Sequence, residues 1–350
     1  MKKIILIIFI LLFCGCADYK ELNDIAIVSG LSIDRENNNY VVGVLIANST
    51  DEKNVLYKAS SPTITGAIKK LESITPKQLY FGHLGVVILS SDTCKIGLNK
   101  ISDYFFRNPE TTKRFYLVMS KDKAIDVLKV VSPLESYPFQ SIKLNIENSS
   151  NSSYISNSLT YSKFIEMLIT KRVEPYIPTI EIVKNNSEDE ILVKEYLKLD
   201  NIGLFKNSKF IDYASVKESR GINLLLGNTK DMLITTKCFS AVISSIKVKK
   251  SIKNNSIIFN IKGKGDISRL NCKYDINDIK KYNKIINKQV EELASTGLNK
   301  LYKLNVDTLG LSNYMYKHNK DIKFKDINVS YNINIKIKNE GSIKGDIDEI

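Results

Sequence analysis

Residues 327–337 read INVSYNINIKI, and this run decides how the second half of the chain folds. Its apolar side chains recur at every second position, with Asn, Ser or Lys between them: Ile327, Val329, Tyr331, Ile333, Ile335 and Ile337. A period of two places successive side chains on opposite faces of a β-strand. The run therefore predicts a long strand with one buried face and one face in water.

A long helix is predicted before this strand, at about Asp275–Leu304. Apolar residues recur there at spacings of three and four, beginning at Ile279 and ending at Leu304. Ordinary core packing explains such a stripe better than a coiled coil does. Two further strands, Cys238–Lys250 and Ser256–Gly263, precede the helix. We expect this half to be an antiparallel sheet crossed by one long helix.

The first half alternates strands and helices. Asp24–Asp34 and Tyr40–Ala47 read as a hairpin around a polar turn, and Pro62–Thr75 reads as an amphipathic helix. Further elements are expected in this order: strand Leu79–Leu89, helix Lys95–Phe106, strand Arg114–Met119, helix Asp122–Val131 capped by Asp122, helix Leu159–Thr170 and strand Thr179–Val183. This alternation predicts mixed α/β layers.

The predicted fold class is α+β, with several domains in which mixed sheets pack against helices. Residues 1–15 are expected to be a lipoprotein signal peptide. Residues 16–190 form an N-terminal mixed α/β region, and a split near the surface segment 132–158 is left open. The polar run KNNSEDE at 184–190 marks the main boundary. Residues 191–350 form a C-terminal α+β domain.

The composition gives a strongly basic protein without the usual marks of nucleic-acid binding. The 350 residues contain 51 Lys and Arg against 38 Asp and Glu, a formal charge of +13, and no Trp. Only six of the basic residues are Arg, whose planar fork reads bases best. The lysines spread along the whole chain, which predicts a solvated surface and no nucleic-acid partner. A weak attraction to anionic lipid or wall polymer stays open.

The N-terminus has the pattern of an exported lipoprotein. Lys2 and Lys3 precede an apolar run of ten residues, Ile4–Phe13, which is too short to cross a bilayer and suits a signal peptide. Gly15 then precedes Cys16, as in a bacterial lipobox, so Cys16 is the predicted site of diacylglyceryl attachment. The alternative is a secretory signal with two incidental cysteines. Two acyl chains on one residue would anchor the chain stably.

The remaining cysteines predict no disulfide framework. Cys94, Cys238 and Cys272 are odd in number and far apart, and no C-x-x-C occurs. We interpret them as small buried apolar residues.

No catalytic pattern emerges from the other residue types. The P-loop, zinc-protease and nucleophile-elbow motifs are all missing from the sequence. His83 lies between glycines and is interpreted as structural, bonding a neighbouring carbonyl, while His318 is expected on the surface. The carboxylate pairs lack the apolar neighbours that general acid catalysis needs. We expect no enzyme, no metal and no cofactor.

A series of short motifs does stand out, and it runs in order along the chain. The motifs are Gly15–Asn23 (GCADYKELN), Ile27–Asp34 (IVSGLSID), Leu79–Leu84 (LYFGHL), Phe105–Glu110 (FFRNPE), Gly203–Lys209 (GLFKNSK), Glu218–Asn223 (ESRGIN) and Asp307–Leu311 (DTLGL). Together they resemble the Ger(x)C family, the C subunits of spore germinant receptors. Ala17 stands where the family usually has Trp.

The resemblance implies a lipid-anchored subunit on the outer face of the spore inner membrane. It would act with a polytopic A-type subunit and a B-type, transporter-like subunit in nutrient-triggered germination. The family's fold is a mixed α+β body of several domains. Two roles for this subunit stay open within the resemblance: it contributes protein–protein contacts, or it also binds the germinant itself.

Each motif also has a purely structural interpretation, which we favour. Gly30 and Asp34 would shape a strand end and a turn. Arg107 and Glu110 would end a helix and form a local ion pair, and Gly203 and Gly221 would supply turn geometry. The rival function from another class is an extracytoplasmic solute-binding lipoprotein of a transporter, which needs a cleft with aromatic and converging polar groups.

Overall fold

The computed structural model describes residues 22–47, 54–135, 138–149, 158–186, 192–199, 201–270 and 279–339. The strands in these residues are β1 (Ile25–Glu36), β2 (Asn39–Ala47), β3 (Asn54–Ser61), β4 (Gln78–Tyr80), β5 (Val86–Ser90), β6 (Tyr116–Ser120), β7 (Tyr176–Lys184), β8 (Glu195–Lys198), β9 (Ile202–Lys206), β10 (Lys209–Ala214), β11 (Met232–Thr235), β12 (Phe239–Lys253), β13 (Ser256–Leu270) and β14 (Asn328–Asn339). The helices are α1 (Ile64–Ile74), α2 (Ser91–Ile96), α3 (Leu98–Arg107), α4 (Ala124–Val127), α5 (Pro138–Ser149), α6 (Tyr161–Ile169), α7 (Val216–Leu226), α8 (Ile279–Leu304) and α9 (Leu311–Tyr316).

The first sheet is mixed and has helices on both faces. Its strand order is β10-β9-β7-β6-β5-β1-β2-β3, with β4 paired to β1 and β8 paired to β7. The central strands β1, β5, β6 and β7 are parallel, and the flanking strands are antiparallel. Neighbouring residues of β5 point to opposite faces, so Val87 belongs to the core under α1, α2, α3 and α6 while Val86 belongs to the core under α4 and α5. The mixed α+β class is confirmed.

The predicted hairpin and first helix are also confirmed. Strands β1 and β2 pair up to Glu36 and Asn39, and the two turn residues between them, Asn37 and Asn38, take φ of 46° and 63°. Asn tolerates this left-handed conformation, which matches the twist of a hairpin. Helix α1 begins after Thr63, whose side chain accepts the Gly66 amide.

Four predicted elements differ from those in the structure. The apolar run Leu79–Leu89 is two strands, β4 and β5, because the chain turns at residues 81–85 against a bulge of β1. The helix predicted at Lys95–Phe106 is α2 and α3, divided at Gly97. The expected helix Asp122–Val131 shortens to α4. The predicted surface segment contains helix α5, which buries Ile142 and Ile146.

The second sheet has the order β11-β12-β13-β14. Strands β11, β12 and β13 are antiparallel, whereas β14 runs parallel to β13 because α8 crosses over between them. The predicted period of two is confirmed in β14, where Ile335 and Ile337 are buried and Asn334 and Lys336 are exposed. The inward side chains pack against α7, α8 and α9.

The boundary at 190/191 stays a proposal. Strands β8, β9 and β10 follow it in sequence yet complete the first sheet beside β7. Ile202 and Leu204 of β9 also belong to the core of the second sheet. The two sheets therefore share a packed seam at β9.

Helix α7 crosses α8 at two glycines. A Cβ on Gly221 would lie 2.1 Å from the Leu293 carbonyl oxygen, and a Cβ on Gly297 would lie 2.5 Å from the Ile222 nitrogen. Because these are backbone atoms, neither position has room for a side chain. Gly221 lies inside α7, so the predicted turn role for this residue is wrong.

The cysteines divide into two kinds. Cys94 is fully buried, and burial raises the pKa of its thiol, in agreement with the predicted apolar role. Cys238 is disulfide-bonded, which contradicts the expectation of unpaired cysteines, and its partner lies outside the described residues.

No helix in the described ranges combines the length and the apolar character that a membrane crossing requires.

We expect Gly221→Ala to lower the free energy of unfolding by about 1–3 kcal/mol, because the added methyl forces α7 and α8 apart. Urea unfolding followed by circular dichroism measures this. Asn299→Ala, on the exposed side of α8, is the matched control and should stay within about 0.5 kcal/mol of the wild type. A Gly221→Ala protein as stable as the wild type would contradict the close crossing.

Candidate functional site

A cleft of about 1150 Å³ lies between the two sheets. One wall is α6 with the start of β7, and the other is the C-terminal end of α7, part of β12 and the turn leading into α9. Its apolar lining includes Met167, Leu226 and Ile246, and its aromatic lining includes Tyr176 and Tyr314. The cleft is open and of a size that exceeds most small-ligand sites.

The motif Asp307–Leu311 builds one side of this cleft. The Asp307 carboxylate accepts the amides of Leu311 and Ser312, each at 2.7 Å, and so caps the start of α9. The Asp307 carbonyl accepts the Glu174 amide at 3.1 Å, which ties the turn to the approach to β7. Gly310 has φ of 63°, a left-handed value that glycine adopts without strain.

The cleft carries more positive than negative charge. Its lysines are Lys163, Lys230, Lys247, Lys250 and Lys317, and its carboxylates are Glu166 and Asp231. Lys250 points inward from β12 and donates a 2.6 Å hydrogen bond to the Leu309 carbonyl. The ring centroids of Phe259 and Tyr314 lie 5.8 and 5.9 Å from its Nζ, at the outer range of a cation–π contact.

Burial acts on both charged groups beneath the cleft. It raises the pKa of Asp307, although the amides of Ser312 and Leu311 and the charge of Lys250 oppose the rise. It lowers the pKa of Lys250, and the charge of Asp307 opposes that change. The two groups therefore stabilise each other's charged form in a site that disfavours both.

Thr308 is the residue of this motif with an unused polar atom. Its side chain is 3% exposed and lines the cleft, and its Oγ1 has no hydrogen-bond partner among the described residues. Sequence reasoning singled out Asp307–Leu311 only as a motif and missed Lys250, because the contact between them joins residues 59 positions apart.

Asp34, from another motif, caps a distant helix. Its carboxylate accepts the amides of Ala124 at 2.7 Å and Ile125 at 3.0 Å, at the start of α4. Burial raises its pKa, and these two amides oppose the rise. The predicted capping role of Asp122 is therefore wrong, because Asp122 instead accepts the Ile182 amide at 2.9 Å.

The contacts predicted for Arg107 and His83 differ from those in the structure. Arg107 ends α3 and pairs with Asp103 one turn earlier, at 2.7 Å, so the predicted partner Glu110 is not the residue that it contacts. His83 is exposed and lies edge-on to Tyr80, with ring centroids 5.9 Å apart, which contradicts the predicted bond to a carbonyl. His318 is at the surface, as expected, and its Nδ1 lies 2.8 Å from the Tyr314 carbonyl.

A smaller cavity of about 550 Å³ lies beside His83. Arg114, Lys143 and Glu147 contribute its charged groups, and Ser29 also lines it. The motif residues are thus distributed between this cavity, the cleft and the helix caps, and they do not converge on one centre.

The described ranges contain no cluster of three or more His, Cys, Asp and Glu side chains that could hold a metal ion. The predicted lipidation site, Cys16, lies outside these ranges.

Comparison with known proteins identifies two consecutive family matches. The family described as spore germination protein N-terminal domain matches residues 18–182. The family described as spore germination B3/GerAC like, C-terminal, matches residues 200–341.

Named relatives match over nearly their full length. Spore germination protein B3 of Bacillus subtilis is 23% identical, with 98% of each chain covered. Spore germination protein KC of Bacillus subtilis is 22% identical over 91% of this chain and 87% of that protein. Spore germination protein GerQC of Bacillus cereus is 24% identical over 89% of both.

The crystal structure of the GerBC protein has the same fold. The TM-score is 0.52 at 18% sequence identity, with 91% of this chain and 99% of that chain covered.

The raised pKa of Asp307 predicts a pH dependence of stability. The folded state holds this proton more tightly than an unfolded chain with a pKa near 3.8, so the group's contribution to the free energy of unfolding falls as pH rises through the raised pKa. Asp307→Asn removes that dependence. Acidification from neutral pH toward about pH 4 should therefore favour the wild type relative to the variant.

Urea unfolding of both proteins across this pH range checks the prediction. Asp34 is present in both and cancels in the difference. Asp24→Asn, at an exposed position directly before β1, is the control, and a difference that is flat or of opposite sign for Asp307→Asn would contradict the assignment.

Proposed function

The chain belongs to the spore germination family of B3/GerAC-like proteins, and from that membership we propose that it acts as the C subunit of a spore germinant receptor. The observation that carries the proposal is the order and extent of the two family matches, which together span residues 18–182 and 200–341.

The proposed anchor is a diacylglyceryl group on Cys16. The apolar run Ile4–Phe13 and Gly15 support it, and the first family match begins at residue 18, two residues after this cysteine. Two acyl chains give stable attachment where one gives only reversible binding. The body of the protein would then stand on the outer face of the spore inner membrane.

The proposed partners are a polytopic A-type subunit and a B-type transporter-like subunit. Attachment to one membrane confines all three proteins to two dimensions, which raises their effective concentration without any new contact. In this proposal the subunit contributes binding surfaces and no catalytic step. Germinant binding shifts the assembly between two states, and it can do so only through its different affinity for each.

The cleft supports a second candidate, an extracytoplasmic solute-binding lipoprotein. It offers two tyrosines, several lysines and the unpaired Thr308 hydroxyl, which are groups that could hold an anionic solute. Its open shape and the separation of its polar groups fit this function less well than the family match fits a receptor subunit.

Cys16→Ser should move the protein from the membrane fraction to the aqueous fraction, because the variant cannot accept the diacylglyceryl group. Fractionation with immunoblotting measures this, and mass spectrometry of the wild type should find the lipid on Cys16. Cys14→Ser is the matched control and should stay in the membrane fraction. A Cys16→Ser protein that still carries lipid would contradict the proposed site.

Spores that lack the gene should lose their response to one class of nutrient while retaining the others. Loss of optical density after challenge with amino acids, nucleosides and sugars measures the response, with parent spores as the control. An unchanged response to every compound that triggers the parent would argue against the receptor role. In that case, calorimetry should be carried out with the chain from Ala17 onward. A solute that binds it with a micromolar dissociation constant would favour the solute-binding function.

A further inference from the structure

The second sheet has an outward face that carries lysine almost to the exclusion of other charges. Inward residues of β12, β13 and β14 pack against the helices, as Phe259 and Ile335 do. The outward residues alternate with them and are exposed or half-buried. Six of these outward residues form what we call the lysine face: Lys247, Lys249, Lys253, Lys262, Lys264 and Lys336.

Strand register brings these lysines together. Lys247 is directly opposite Lys262, and Lys264 is directly beside Lys336. Neighbouring strands lie about 4.8 Å apart, and alternate residues along a strand lie about 7 Å apart. Each of the four lysines therefore has a like charge within about one Debye length at physiological salt, about 8 Å, and neighbouring ammonium groups repel.

This charge is compensated at one end only, where Asp266 is the next outward residue after Lys264 on β13. The other outward positions from residue 245 to 264 and from 328 to 336 are Ser, Asn or Ile, and the first carboxylate further along β13 is Asp266. The described residues include lysines that do form ion pairs, and these lie elsewhere: Lys69, Lys95, Lys121, Lys123, Lys129, Lys143, Lys184, Lys198 and Lys300. Like charges placed directly opposite cost stability, so folding alone does not explain the arrangement.

The residue types of the lysine face indicate which class of partner it binds. Protein interfaces rely on aromatic and Arg anchors in a packed centre, and the face offers Asn260, Asn332 and Ser251 linked by hydrogen bonds instead. Nucleic-acid surfaces favour Arg and aromatic stacking. Flexible lysines on a flat polar surface match the diffuse negative charge of anionic lipid headgroups.

We propose that the lysine face binds the surface of an anionic phospholipid bilayer. Helix α8 lies on the other side of the sheet, so binding would orient α8 away from the membrane. The proposal rests on side chains of the folded body and does not depend on lipid at Cys16.

Vesicle flotation tests it with the chain from Ala17 onward, which lacks the proposed anchor and keeps every described residue and all three cores. The protein should float with vesicles of phosphatidylcholine and phosphatidylglycerol in equal parts and not with phosphatidylcholine alone. Binding should weaken steeply between about 0.1 M and 1 M salt, because salt shortens the Debye length.

The triple variant Lys249→Gln, Lys262→Gln, Lys264→Gln identifies the face. Each lysine near an anionic surface contributes about fivefold in affinity, so the three together should cost about 100-fold. The matched control replaces Lys280, Lys284 and Lys288, which are exposed on α8, by Gln and changes the net charge equally. It should bind as the wild type does.

Equal losses in the two triple variants would show that total charge and not the lysine face drives binding, and would overturn the proposal. Undiminished binding by the Lys249, Lys262, Lys264 variant, or equal binding to neutral vesicles, would overturn it too. The unfolding temperature of the Lys249, Lys262, Lys264 variant should equal or exceed that of the wild type, because the substitutions remove a repulsion between like charges. That measurement separates lost binding from lost folding.

Discussion

The close crossing of α7 and α8 at Gly221 and Gly297 is the contact on which the second half of the protein depends. It holds α8 against the inward face of the second sheet, where Ile286, Val290 and Leu301 enter the core. Because α8 connects β13 to β14, its position fixes where β14 joins the sheet. A larger residue at either glycine would lift the helix from all of these contacts together.

The same helix also covers the edge of that sheet. Strand β14 is the last strand, and its outer amides would otherwise be free to pair with another chain. Asn287 accepts the Ile335 amide at 2.8 Å, and Asn283 accepts the Ile337 amide at 2.9 Å. These asparagines are one helical turn apart, so a single face of α8 both packs the core and satisfies the strand edge.

Sequence reasoning succeeded where structure follows from local periodicity. The alternation at Ile327–Ile337 and the stripe of α8 required no knowledge of distant residues, and both were confirmed. The capping of α4 could not be predicted in this way, because Asp34 and Ala124 are 90 residues apart. Gly221 was misjudged for a related reason, since a glycine required by a helix crossing looks in the sequence like one required by a turn. The lysine face needs the register of three strands, which a single sequence does not display.

The distribution of the lysines likewise differs between the sequence and the folded protein. Along the sequence the lysines are dispersed, and dispersed lysines indicate only a solvated surface. Pairing of β12 with β13 and of β13 with β14 places Lys247, Lys262 and Lys336 on adjacent strands, with no carboxylate among them.

A lipid at the N-terminus would fix where the chain is attached but leave its body free to rotate. An electrostatic contact from the far half of the fold would restrict that rotation, and since the first contact already confines the second to the membrane, even a weak second contact would be occupied most of the time. In the proposed arrangement, the two contacts together would give the body one orientation toward neighbouring proteins.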